Sequence, residues 1–182
     1  ERWVKMLAPL CPHYAEELWS GKGFVSIAEW PSYNEKNIDE KAEYLDETID
    51  RLLSDIREIQ KLAKIEKINK VKLVVANSWK YNFVKEFKRL IEKERNIGVL
   101  IKALIDKEHS KEISNLIPAL LKNPSKIPEI VLTQNEELAM LNDSKSLIEK
   151  ELECVVEIEI AEKSSELKAS NAMPSKPAVI IG

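Results

Sequence analysis

Four glycines in 182 residues are too few for phosphate-cradling loops, and neither G-x-G-x-x-G nor G-x-x-x-x-G-K-[ST] occurs. A dinucleotide-binding or P-loop enzyme is therefore not expected. Cysteine is equally sparse: Cys11 and Cys154 lie far apart, the spacing of reduced thiols rather than of a disulfide framework. No apolar run approaches the roughly 18 residues that span a bilayer, and no signal peptide is visible, so a cytoplasmic protein without membrane contact is expected. No G-x-S-x-G string is present, and neither histidine has an evident nucleophile partner. Cys11 and His13 make half a metal site at best. Zinc needs about four ligands, and Cys154 and His109 are isolated, so a small buried thiol is expected at Cys11 and no metal. Glu16 and Glu17 are adjacent on a helix, about 100° apart, and do not face one substrate together. Nothing here reads as catalytic.

What is present is charge and helical periodicity. Hydrophobic residues make up 44% and charged residues 32%, enough to bury a core in one domain or two small ones and stay soluble. The net charge of −3 hides a block: residues 61–108 carry 13 basic and 6 acidic side chains, against 7 and 13 in residues 1–60. Such a block is a candidate nucleic-acid footprint, with an ordinary solvated surface as its plain alternative. The opening "ERWVKMLAPL" starts inside a helix without an initiator Met and reads as cut from a longer polypeptide.

Pro9 stops the first helix and Pro12 starts the second in its first turn, where a missing N–H costs nothing. Residues 39–67 are predicted to form one long helix capped by Asn37 or Asp39, with Leu45, Ile49, Leu52, Leu53, Ile56 and Ile59 on one face. "NKVKLVVAN" reads as a strand, and three helices follow to residue 122, the last containing Pro118. "EIVL" is a possible strand, "NEELAMLNDSKSLIEKELE" a helix, and "CVVEIEIAE" and "PAVII" strands. The fold class is α+β: an end of a helical bundle over residues 1–67, then a small α/β domain with a short mixed sheet and several helices over residues 68–182.

"MLAPLCPHYAEELW" carries a resemblance. It is similar to the anticodon-binding helical domain of class I aminoacyl-tRNA synthetases of the leucyl, isoleucyl, valyl and methionyl group, whose pattern is like L-L-A-P-x-x-P-H-x-A-E-E-L-W. The matching residues are Leu7, Ala8, Pro9, Pro12, His13, Ala15, Glu16, Glu17, Leu18 and Trp19. "SIAEWP" and the closing "MPSKPAVIIG" resemble the archaeal and eukaryotic form of leucyl-tRNA synthetase. The resemblance implies a packed helical corner at residues 7–19 and a C-terminal domain that binds the long variable arm of leucine tRNA. It also implies a parent enzyme using ATP and Mg, with the remainder of the synthetase chain as a partner. No cofactor is expected in this piece, which lacks the family's H-I-G-H and K-M-S-K-S signatures.

The tRNA-binding candidates are Lys64, Lys67, Lys70, Lys72, Lys80, Lys88 and Arg89 of the basic block, with Lys176, Pro177, Ile180, Ile181 and Gly182 of the tail. For the tail the structural alternative is a strand that completes the sheet. Of the aromatics, Trp3, Tyr14 and Trp19 are expected in a core, and Trp79 and Tyr81 are the better base-stacking candidates. The other functional readings are a helical protein-interaction module and the equivalent piece of an isoleucyl or valyl enzyme. With no catalytic constellation, the purified 182-residue chain is predicted to form no leucyl-tRNA. Aminoacylation by a preparation free of full-length enzyme would contradict this.

Overall fold

The computed structural model describes residues 1–35 and 38–182, so a cap by Asn37 lies outside the described residues. They divide into two compact units, Glu1–Glu40 and Lys41–Gly182.

The first unit is built on helices α1 (Arg2–Leu7) and α2 (Pro12–Leu18). The Leu7 carbonyl accepts from Leu10 and Cys11 N–H, both at 2.9 Å, in the turn that Pro9 enters, and Pro12 is the first residue of α2. The chain then crosses the Trp19 indole at Gly21, where a Cβ would lie 2.2 Å from the ring. Lys5 Nζ sits 5.5 Å from that ring's centre. Glu16 ties α2 to the next segment. Its carboxylate accepts the N–H of Val25 (2.9 Å) and Ser26 (3.2 Å), which open the short 3-10 turn Val25–Ile27 and have no partner within it. The Val25 N–H holds the Glu16 carboxyl below its usual range, against burial and with help from Ser26.

The helical corner is therefore as expected, but not its packing. Ala15 and Val25 are the buried apolar residues of this unit, whereas Trp3 is 82% exposed, Tyr14 is 69% exposed, and Cys11 and His13 face solvent. Trp19 is half-buried, its indole N–H withdrawn from solvent.

In the second unit α3 (Glu40–Leu62) is shorter than its apolar pattern suggested. Lys64 adopts φ 54°, in the left-handed region. Lys64 N–H donates to the Lys61 carbonyl and Ile65 N–H to the Gln60 carbonyl, the closure that usually employs glycine. Then follow β1 (Lys70–Val75), α4 (Ser78–Ile91), α5 (Ile97–Leu104) and α6 (Ser110–Lys122), which continues through Pro118. After them come α7 (Gln134–Asp143), α8 (Lys145–Leu152), β2 (Val155–Ile160) and β3 (Ala178–Ile181). "EIVL" forms no strand; its Leu132 instead plugs the core from an irregular connector. The single helix expected at 135–153 is two, broken at Ser144, the first opened by a Thr133–Glu136 capping box. Glu136 is held down at about 2, first by the Lys41 ammonium and then by the Thr133 N–H and hydroxyl.

The fold is α+β with a three-stranded mixed sheet of order β2-β1-β3. β1 pairs in parallel with β2 (Val71 opposite Val156, Leu73 opposite Ile158) and antiparallel with β3 (Val71 opposite Ile181, Leu73 opposite Val179). Those residues share one face, and Tyr44, Ile49, Leu52, Leu53 and Ile56 of α3, Leu141 of α7 and Ile148 of α8 belong to the same core. The boundary expected at residues 67 and 68 thus falls inside the second unit, because α3 supplies part of the core on which the sheet is built. A second cluster joins Phe83, Val84 and Phe87 of α4 to Leu100 of α5 and Ile113, Ile117 and Leu120 of α6. No helix among the described residues is long and apolar enough to cross a membrane.

Two ionisable groups sit within this packing. Lys80 is 2% exposed and Glu137 is fully buried. Burial pushes the Lys80 ammonium below its usual range, opposed by Glu112. Burial raises Glu137 to about 7, opposed by the Ser175 N–H and the Tyr81 hydroxyl that it accepts from. Burial, and then the Glu137 charge, raise Tyr81.

Two outcomes follow from this packing. Lys64→Gly is predicted to stabilise the chain by up to about 1 kcal/mol by relieving the left-handed backbone; thermal unfolding checks it, and a lowered Tm contradicts it. Glu137 binds its proton more tightly folded than unfolded, so its contribution is complete below the ordinary value of 4.5 and disappears as pH rises through about 7. Relative to Glu137→Gln, the wild type should lose roughly 3 kcal/mol between pH 4.5 and 8 in denaturant titrations. A pH-independent difference contradicts that.

Candidate nucleic-acid interface

Five of the seven candidates from the basic block are engaged with the protein itself. Lys70 pairs with Glu157 at 2.8 Å, and Lys72, half-buried, stands 3.7 Å from Glu159 and 3.5 Å from Glu166. In the register of the sheet Lys70, Lys72, Glu157 and Glu159 share the face opposite the core, so opposite charges meet across neighbouring strands. The Lys70 ammonium lowers the Glu157 carboxyl below its usual range. Lys88 donates to the carbonyls of Pro128 and Glu129, and Arg89 pairs with Glu86 one turn away at 3.4 Å. Lys80 cannot meet a phosphate where it lies: its Nζ donates to the carbonyls of Ser170 (2.5 Å) and Ala172 (2.9 Å). Lys64 and Lys67, at the end of α3 and in the loop to β1, are exposed and form no ion pair among the described residues.

The tail is a strand. Ala178–Ile181 forms β3, Pro177 is buried, and Gly182 N–H extends the ladder to the Lys70 carbonyl at 2.9 Å. Ile181 joins the core face and Ile180 lies opposite Lys72 on the other face. The closing strand is thus as expected, and it completes the sheet at its edge; Lys176, before β3, is exposed and lies 3.6 Å from Asp55. The stacking assignment, by contrast, changes. Trp79 is half-buried, stacked on His109 (4.3 Å between centres, 8° between planes) and edge-on to Phe83, while Tyr81 is buried. Exposed aromatic rings sit instead in the first unit, among them Trp30 and Tyr33 beside Pro31. The one three-residue cluster of metal-ligand type among the described residues is Asp106, Glu108 and His109; its carboxylates are exposed, and the face of its imidazole stacks on Trp79.

Two clefts of the second unit meet at a turn the sequence reading used only in part. The string Pro-Ser-Lys occurs twice, at Pro124–Lys126 and at Pro174–Lys176. Both copies line a cleft of ≈ 480 Å³ on the side of Tyr44, Thr48 and Arg51 of α3. Lys126, Lys176, Pro177 and Asp55 also line a neighbouring groove of ≈ 640 Å³. Its walls are apolar, from Ile59 and Leu62 of α3, Leu116 and Leu120 of α6, Met173 and Val179, and its polar groups come from Lys168, Ser170, Asn171 and Glu58. Apolar walls under a lysine-bearing rim can take a flat, partly apolar group attached to an anion, with side-chain and backbone polar atoms to orient it. Lys126, Lys168, Ser170 and Asn171 were not among the sequence candidates. The repeated Pro-Ser-Lys was a usable signal for the first of them, and for the others there was none.

Residues 1–76 match the model of the anticodon-binding domain of tRNA ligases. Along the whole chain the similarity is to leucine–tRNA ligases: 34% identity over 197 residues to that of Methanosarcina barkeri, covering 100% of this chain and 20% of the relative. The Pyrococcus abyssi protein is 34% identical (98% and 18%) and the Archaeoglobus fulgidus protein 31% identical (98% and 19%). The chain spans about a fifth of the length of these curated relatives. From its helical corner to its last strand, the chain matches a C-terminal fragment of an archaeal leucine–tRNA ligase.

Proposed function

We propose that this chain is a tRNA-binding portion of a leucyl-tRNA synthetase, and that the groove beside Lys126, Lys168 and Lys176 takes an unstacked base of the long variable arm of leucine tRNA. The observation that carries the reading is the groove itself. Three lysines from two separate loops stand around apolar walls in a chain similar throughout to leucine–tRNA ligases. RNA is commonly read through splayed bases that enter pockets while cations hold the flanking phosphates. The exposed Trp3, Leu10, Tyr14 and Ile27 of the first unit supply apolar surface for contact with the remainder of the synthetase. ATP and Mg act, on this reading, in that remainder, in the cytoplasm.

Binding of leucine tRNA at several salt concentrations tests the groove. Each phosphate contact removed flattens the log–log slope by roughly 0.7–0.9. Lys126→Gln, Lys168→Gln and Lys176→Gln combined should therefore weaken binding and lower the slope by about 2. Lys70→Gln with Lys72→Gln should leave the slope nearly unchanged, since Lys70 is paired at 2.8 Å and Lys72 is half-buried between two carboxylates, whereas Lys176 is exposed with one at 3.6 Å. The opposite pattern places the RNA on the sheet face. Equal affinity for tRNAs with long and short variable arms favours an isoleucyl- or valyl-type role instead.

A further inference from the structure

The segment that walls the groove, Ser170–Lys176, is held from behind by groups withdrawn from water. Lys80 of α4 donates to the carbonyls of Ser170 and Ala172, at 2.5 and 2.9 Å. The next residue, Tyr81, donates its hydroxyl to Glu137 Oε2 of α7 at 2.8 Å, and that same oxygen accepts the Ser175 N–H at 2.8 Å. Ser175 is left-handed, with φ 60°, a backbone state that a serine keeps only when its surroundings impose it. Met173 and Lys176 close the turn by exchanging hydrogen bonds at 3.0 and 2.9 Å.

Stability alone is a poor reason for this arrangement. A fully buried carboxylate and a nearly fully buried ammonium each cost several kcal/mol of lost hydration, and apolar residues of the same volume often serve a core as well or better. Glu137 Oε1 and Ser175 Oγ, moreover, are buried without a hydrogen-bond partner. What directional hydrogen bonds provide and apolar packing does not is a fixed backbone orientation. On the far side of this segment Ser170, Asn171, Met173 and Lys176 face the groove.

We infer that Lys80, Tyr81 and Glu137 are positioning residues, a buried clamp that sets the Ser170–Lys176 segment in the orientation in which Lys176, Asn171 and Ser170 meet RNA. The inference rests on the groove being the RNA site. Lys80 fixes the first half of the segment through two carbonyls, and Glu137 fixes the second half through one N–H, with Tyr81 aligning the carboxylate. None of the three reaches the RNA.

The test uses the 182-residue chain and leucine tRNA, with Glu137→Met to remove the acceptor, Glu137→Gln to retain one, Lys80→Met to release the other half, and Lys176→Gln. Hydrogen exchange and binding are measured on the same proteins. Glu137→Met should speed exchange of the Ser175 and Lys176 amides about ten-fold or more while the ladder amides of Leu73 and Val75 keep their protection. It should weaken tRNA binding about three- to ten-fold, with Glu137→Gln restoring most of the loss. Added to Lys176→Gln, it should cost less than about two-fold more, because it acts through that lysine. If Glu137→Met fails to fold, Lys80→Met carries the same comparison, read at the Ala172 and Met173 amides. Additive losses in the double variant, or protection lost throughout the sheet, overturn the clamp as a positioning device. A wild-type chain that does not bind leucine tRNA defeats the proposed function and the positioning role with it.

Discussion

Strand β1 is hydrogen-bonded along both edges, and the organisation of the second unit depends on that double pairing. The parallel partner β2 begins 80 residues or more downstream, so the intervening chain must leave the sheet and return, and α4 to α8 form that excursion. The antiparallel partner β3 takes the other edge of β1, which draws the last residues into the ladder. Val71, Leu73 and Val75 bury completely between these neighbours and α3, each contributing about 1.5–3 kcal/mol of apolar burial. Once β3 is fixed, the turn before it lies beside α3, and the two clefts open along that helix.

Electrostatics follow from the same geometry rather than from composition. Five candidates of the basic block are already used: Lys70 and Lys72 face Glu157, Glu159 and Glu166, Lys80 and Lys88 serve backbone carbonyls, and Arg89 has Glu86. Exposed pairs of this kind add little stability, about 0–1 kcal/mol each. They do cancel the field that a phosphate would sense. The lysines around the groove come from residues 109–182, where acidic side chains are in excess, yet folding gathers three of them within one rim.

This difference explains how far the sequence could be read. Periodicity revealed the α3 face, the alternation of Val71, Leu73 and Val75, and the two later strands, because burial of one face leaves a local trace. The corner at Pro9 and Pro12 was equally legible, since proline acts on its own neighbours. The end of α3 was not: a lysine in a left-handed cap leaves no signal where glycine would. Nor was the fate of Lys80, whose burial depends on carbonyls 90 and 92 residues away. "EIVL" has the composition of a strand but lies in an irregular connector, its Leu132 spent on the core rather than on a ladder. Trp3 and Tyr14 were read as core from their place in the helical hairpin, and membership of a helix does not say which of its faces is covered. The groove lay beyond reach for the same reason, being made by three segments that meet only after the sheet has closed.

The central claim is that leucine tRNA meets the two Pro-Ser-Lys turns and not the charged sheet face. Backbone amide chemical-shift mapping of the isotopically labelled chain on addition of leucine tRNA tests it directly. The structure predicts the largest shifts at Lys126, Ser170, Asn171 and Lys176, with Lys70, Lys72 and Glu157 little changed. Shifts concentrated at Lys70, Lys72 and Glu157, with the turns unmoved, would contradict it.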